Sequence, residues 1–148
     1  MEELIIATRL ALGNTFAMYL KTHSYHWNVE GIMFSQYHDF FGDLYDDLYG
    51  AIDPLAEEIR GLDAYAPISI MDMYKYKTIE ENTYRIVLIR DMLLSLERDN
   101  AEMITTLNKV FDLASAQKQQ GLANFVADRL DKHTKHGWQI RASLKNIG

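Results

Sequence analysis

Residues 23–41 read HSYHWNVEGIMFSQYHDFF. His23, His26 and Trp27 fall at helical spacing, Val29–Gly31 interrupts the period, and apolar residues resume at Phe34. A glycine just past the last periodic residue is a helix stop. The stretch is therefore the end of one long helix, a tight turn and the start of another, with His26 and His38 on either side of the break. Extending the period outward predicts helices over residues 3–29 and 35–62. The expected inward stripe is Phe16, Tyr19, Leu20, His23, His26 and Trp27 in the first. In the second it is Phe41, Leu44, Leu48, Ile52, Leu55 and Ile59. Pro54 cannot donate its backbone hydrogen bond and should kink the second helix, with Gly50 softening the bend.

Residues 63–77, DAYAPISIMDMYKYK, are long enough to cross from one end of a helical bundle to the other, with room for a short extra helix. TIEE then places Thr78 three residues before Glu81, a capping box, which predicts a third long helix over 78–114. ASAQKQQG reads as a loop. A last helix over 122–144 should turn Phe125, Val126, Leu130, Trp138 and Ile140 inward. Four long helices with one long crossover predict an all-α, ferritin-like four-helix bundle, and 1–148 is read as a single domain.

With 148 residues, 48% hydrophobic, the chain is long enough for a substantial core. There is no cysteine, so any metal must be held by nitrogen and oxygen donors. No apolar run reaches the roughly 20 residues of a membrane span, and the acidic start MEEL lacks the basic region of a signal peptide, so the expected location is the cytoplasm and no membrane partner is expected. A net charge of −6 gives no electrostatic ground for nucleic-acid binding. Any DNA contact should be weak, since neither end carries a lysine-rich run and Lys132 and Lys135 read as a solvated face.

A di-iron site inside a bundle uses Glu-x-x-His pairs, and the sequence contains none. The carboxylates best placed for a metal are Asp53 and Glu57, one turn apart. Along a helix His38 and Asp53 lie about 22 Å apart, at about 1.5 Å per residue. A single chain cannot close that distance around one ion, whereas two copies packed antiparallel about a twofold axis can. His23 is read as orienting a ligand or bonding at an interface, and His133 with His136 as a surface or interface pair. Asp43, Asp46 and Asp47 are read as a solvated or shell-lining face.

The pattern His-Trp-Asn-Val-x-Gly-x-x-Phe from His26, a histidine twelve residues on at His38, and Asp-x-x-Ala-Glu fifteen residues after that at Asp53 resembles the signature of the Dps family of miniature ferritins. The likeness continues through LDAYAP and DKHTKHGWQIRASL to span the chain. It implies a dodecameric shell that oxidises ferrous iron, typically with hydrogen peroxide, at sites shared across twofold interfaces, and stores ferric mineral inside against oxidative damage. By position, His26, His38, Asp53 and Glu57 would be the iron ligands, and Trp27 a neighbouring sink for oxidising equivalents. The sequence departs from the family at Gly42, where an aspartate is common, at Glu58 in place of an arginine, and at Pro54. Asn124 and Gln120 stand where an acidic iron pore would be. Two other readings remain: a catalytically weak iron-binding cage, and a helical interaction protein.

Overall fold

The computed structural model describes residues 1–145. Five helices follow in order: α1 Glu2–Asn28, α2 Phe34–Gly61, α3 Ile70–Lys75, α4 Ile89–Ala116 and α5 Gln120–Leu144. Among the described residues there is no strand, and no helix is long and apolar enough to cross a membrane. Short links make α1/α2 and α4/α5 antiparallel pairs. The two pairs join chiefly through α1 against α4, while α2 and α5 meet only lightly. Met18, Phe41, Leu48, Leu96, Met103 and Val126 fill the shared interior. Leu12, Leu55 and Ile59 form a second cluster toward the far end of α2. Burying side chains of this size contributes about 1.5–3 kcal/mol each. α2 continues as helix through Pro54, and the short helix expected inside the crossover is α3.

Several expectations are corrected. The inward face of α1 is Leu4, Ala7, Ala11, Met18, Thr22 and Tyr25. The stripe read from the sequence instead faces α2 and the outside, with Leu20 and Trp27 exposed. Trp138 points outward, 60% exposed, while Val126 and Ile140 of α5 are buried. The capping box at Thr78 does not open a helix: α4 starts at Ile89, and residues 77–88 run as an irregular strap. Tertiary bonds outcompete the local signal there. Buried Asn14 accepts the backbone N–H groups of Thr78 (2.7 Å) and Ile79 (3.0 Å). The Thr78 hydroxyl turns to Glu102 rather than to its own backbone. Lys21 donates to the Glu80 carbonyl at 2.7 Å, and Ile79 is buried. The strap lies so close to α1 that a Cβ on Gly13 would meet the Tyr76 carbonyl carbon at 2.7 Å.

Two charged ties cross the interior. Between α1 and α4, the Lys21 ammonium lies 2.8 Å from Asp99 Oδ2, both side chains nearly sealed from solvent. The charges are close, but no well-aligned hydrogen bond reaches that oxygen. Burial raises the Asp99 pKa, and Lys21 pulls it only partly back. Between α2 and α5, Arg129 grips Asp47 with two bonds of 3.0 and 2.9 Å, and His136 Nε2 donates to Asp47 at 2.7 Å. His133 is buried, contrary to the surface reading. Its Nδ1–H donates to Asn100 Oδ1 of α4 at 2.8 Å, leaving Nε2 to accept from Arg129 at 3.2 Å. Asp47 is likewise a packing residue, whereas Asp43 and Asp46 are exposed as expected.

Burial, then the neighbouring Arg129 and His136 charges, push His133 down to about 3. For Asp47, burial acts upward but is overcome by bonds and charge from His136 and Arg129, which hold the carboxyl well below its usual range. Both shifts have the same sign for stability. A histidine lowered from 6.5 loses its contribution as pH falls from 6.5 toward 3, and a depressed carboxylate loses its own below its unfolded value of 3.8. Asp99, shifted upward, works the other way. Thermal melting followed from pH 7 to pH 4 should show progressive destabilisation. Asp47→Asn should cost about 3 kcal/mol at neutral pH, because it leaves Arg129 buried without its partner. It should also flatten the further loss of stability below pH 3.8, where the carboxylate's own contribution disappears.

Candidate metal centre

The helical break at Val29–Met33 folds α2 back on α1, so that His26 and His38 face each other across the pair. Their imidazoles stack with centroids 3.7 Å apart and planes at 19°. His26 Nδ1 bonds the backbone carbonyl of His38 at 2.6 Å, and His38 Nδ1 bonds the carbonyl of His26 at 2.7 Å. A carbonyl only accepts, so each Nδ1 carries the hydrogen and each Nε2 keeps an in-plane lone pair. Such carbonyl-anchored imidazoles have the tautomer and orientation of metal ligands. A metal–nitrogen bond of about 2.0–2.1 Å lies in the ring plane. In this stack no single ion lies in both planes at that length, so each ring can offer its lone pair to its own ion.

Asp53 and Glu57 sit one turn apart on the outer face of α2, both exposed. A shared hydrogen bond with Asp53, then its negative charge, raises the Glu57 pKa. A cation would relieve that repulsion. His38 is carried on the same unbroken helix as Asp53 and Glu57, and among the described residues no group of three or more histidines and carboxylates is arranged to hold a metal ion. His26 meets His38 and Asp53 meets Glu57, but the pairs do not meet each other. The interior carboxylates are committed elsewhere, Asp47 to Arg129 and Asp99 to Lys21.

Around the histidines lies a set of rings that spacing alone did not assemble. His23 stacks on Tyr45 of α2 at 3.8 Å and lies 4.0 Å from Trp27. Tyr45 meets His26 edge-on at 5.2 Å. Tyr19 bonds His23 Nδ1 through its hydroxyl at 2.9 Å and packs on Tyr49 at 5.3 Å. Burial, then His26, lower the His23 pKa; burial, then Tyr49 and Tyr45, raise that of Tyr19. The available signal was one of register, since Tyr19 lies seven residues before His26 and Tyr45 seven after His38.

A family model described as the ferritin-like domain matches residues 9–148, and the chain belongs to that family. A Dps crystal structure from Vibrio cholerae O1, described as a member of a broad superfamily of ferritin-like diiron-carboxylate proteins, superimposes with a TM-score of 0.91 at 29% identity, covering 97% of this chain and 90% of that one. Antigen TpF1 of Treponema pallidum is 30% identical over 86% of this chain and 72% of its own length. The DNA protection during starvation protein of Brevibacillus brevis is 26% identical over 90% of this chain and 89% of its own. Within the ferritin-like class, the chain is a member of the Dps mini-ferritins.

Gly42, the departure beside this site, has a structural consequence. The His26 ring lies over it, so that an added Cβ would meet His26 Cε1 at 3.1 Å and Nδ1 at 3.2 Å. A side chain here requires the His26 imidazole, held by its bond to the His38 carbonyl, to give way by a few tenths of an ångström. In Gly42→Ala, affinity for Co(II), titrated anaerobically by its absorption bands, should fall about tenfold, the lower range for losing an anchoring bond to a ligand. Helix content should stay unchanged.

Proposed function

We propose that this single domain, residues 1–148, is an inter-subunit ferroxidase. In this reading it assembles as a dodecameric shell in the cytoplasm, oxidises Fe(II) with hydrogen peroxide and stores the ferric product. The carrying observation is the reciprocal anchoring of His26 and His38. It frees two ligand nitrogens on a protomer that offers them no carboxylate, while Asp53 and Glu57 repel each other elsewhere on the same helix. A second copy packed antiparallel along α2 supplies each pair with what it lacks. Imidazole nitrogens suit Fe(II), and the carboxylates' negative charge favours Fe(III), so the mixed set draws the substrate in and drives its oxidation. Two ferrous ions and one peroxide give two ferric ions and two waters, with two protons taken up. Iron and peroxide are consumed together, which removes the reactants of hydroxyl-radical formation. Trp27, 59% exposed in the isolated chain and packed on His23, stands beside the site as a sink for stray oxidising equivalents. DNA has no evident docking surface in this reading: the cations Lys132 and Lys135 are exposed, but Lys135 already pairs with Asp131 at 3.1 Å.

The test loads the protein anaerobically with ferrous iron, adds hydrogen peroxide and follows ferric absorbance beside the double variant Asp53→Asn, Glu57→Gln. The variant should keep the native size in light scattering and oxidise iron more than about tenfold more slowly, since ligand loss should cost at least as much as outer-shell changes do. Equal rates would remove these carboxylates from the site. A monomer in solution would remove the shared-site reading.

A further inference from the structure

The rings around His23 connect two places that a single site does not need connected. From His26 the path passes through Tyr45 at 5.2 Å, His23 at 3.8 Å, Tyr19 at 5.5 Å and Tyr49 at 5.3 Å. Tyr45 and Tyr19 also approach directly, at 6.1 Å. Tyr49 lies one turn before Asp53 on α2. The array thus starts at the histidine pair of a protomer and ends one helical turn before the carboxylate pair of the same protomer. In an antiparallel dimer with shared sites, those pairs belong to different sites.

We propose that this aromatic array conducts electrons between the two metal sites of a dimer. The inference rests on the shared-site reading above. Its chemical reason is a mismatch of electrons: peroxide needs two to become two waters, and one ferrous ion supplies one. When iron is scarce and each site holds a single ion, peroxide bound at one site takes one electron from its own iron and the second from the iron at the other site. The O–O bond breaks, two protons are taken up, two waters leave and both ions end as ferric. Without the second electron, the same peroxide yields hydroxide and a hydroxyl radical.

The array has the parts for such a transfer. Tunnelling falls steeply with distance, and ring-to-ring packing keeps every step short. Tyrosine oxidation requires the phenolic proton to leave with the electron. At Tyr19 that proton has an acceptor 2.9 Å away in His23 Nδ1, and it returns when the ring is reduced. Trp27, against His23, is a side branch of the path. Tyr45 and His23, stacked at 8°, bridge α2 to α1 where the path changes helix.

The experiment uses the assembled protein loaded anaerobically with one ferrous ion per subunit, mixed with half an equivalent of hydrogen peroxide and freeze-quenched for electron paramagnetic resonance, with a spin trap in parallel. Native protein should show a transient tyrosyl signal, two ferric ions per peroxide and no trapped hydroxyl radical. The double variant Tyr19→Phe, Tyr45→Phe keeps the ring packing and loses both oxidisable phenols. It should bind iron and oxidise it at the native rate when fully loaded. At one ion per subunit it should lose the tyrosyl signal and release trapped hydroxyl radical. Native and variant proteins alike in signal and trapped radical would overturn the array while leaving the ferroxidase standing, as would a tryptophan radical unchanged by the double substitution. Loss of the whole reading would instead appear as native protein no faster than the carboxylate variant.

Discussion

Everything about the candidate centre follows from the stiffness of α2. Fifteen residues of continuous helix separate His38 from Asp53, about 22 Å at about 1.5 Å per residue, and a helix cannot bring its own ends together. In the shared-site reading each chain therefore carries two incomplete ligand sets, and neither is adequate alone. The histidines have oriented lone pairs but no negative charge to favour the ferric state; the carboxylates have charge that repels itself. Complementarity between the two ends of one helix is also what a twofold axis exploits, because it pairs unlike ends of identical helices.

The bundle interior bears on why the candidate site falls at the surface of α2. A metal inside a four-helix bundle needs free carboxylates from facing helices. Here the half-buried Asp47 and the buried Asp99 are each neutralised by a cation from the opposite helix pair. The backbones of α2 and α5 approach each other only lightly, and the Asp47–Arg129–His136 cluster, buttressed by His133 and Asn100, supplies specific geometry across that seam. Any metal entering that space would first have to displace an internal ion pair. The same cluster braces the helix that carries His38, Asp53 and Glu57.

Helix existence, order and type were legible because the apolar period is strong. The ends of α1 and α2 read from the sequence fall within a residue of the structure. The start of α4 was not legible, because a valid capping box at Thr78 was outvoted by Asn14, Glu102 and Lys21, whose proximity exists only after folding. Register could have identified His133: it continues the inward series of Val126, Arg129 and Ile140, and the flanking lysines disguised it. For the candidate ligand set, residue type, spacing and the family resemblance together pointed to His26, His38, Asp53 and Glu57. They could not disclose that each histidine is anchored by the other's carbonyl, since that depends on how closely α2 returns along α1.

That close return also changes the meaning of Gly42. Viewed in sequence it is a missing carboxylate; viewed in the structure it is the floor beneath the His26 ring, with no room for a side chain unless the ring moves. A side chain at this position would add a donor beside the site only if the imidazole drawn onto the backbone carbonyl yielded by a few tenths of an ångström from the 3.1 Å clearance. The glycine thus favours a histidine pair held in one tautomer and one orientation. In the shared-site reading it leaves negative charge to Asp53 and Glu57, and places more of the burden of assembling a working site on contact between subunits.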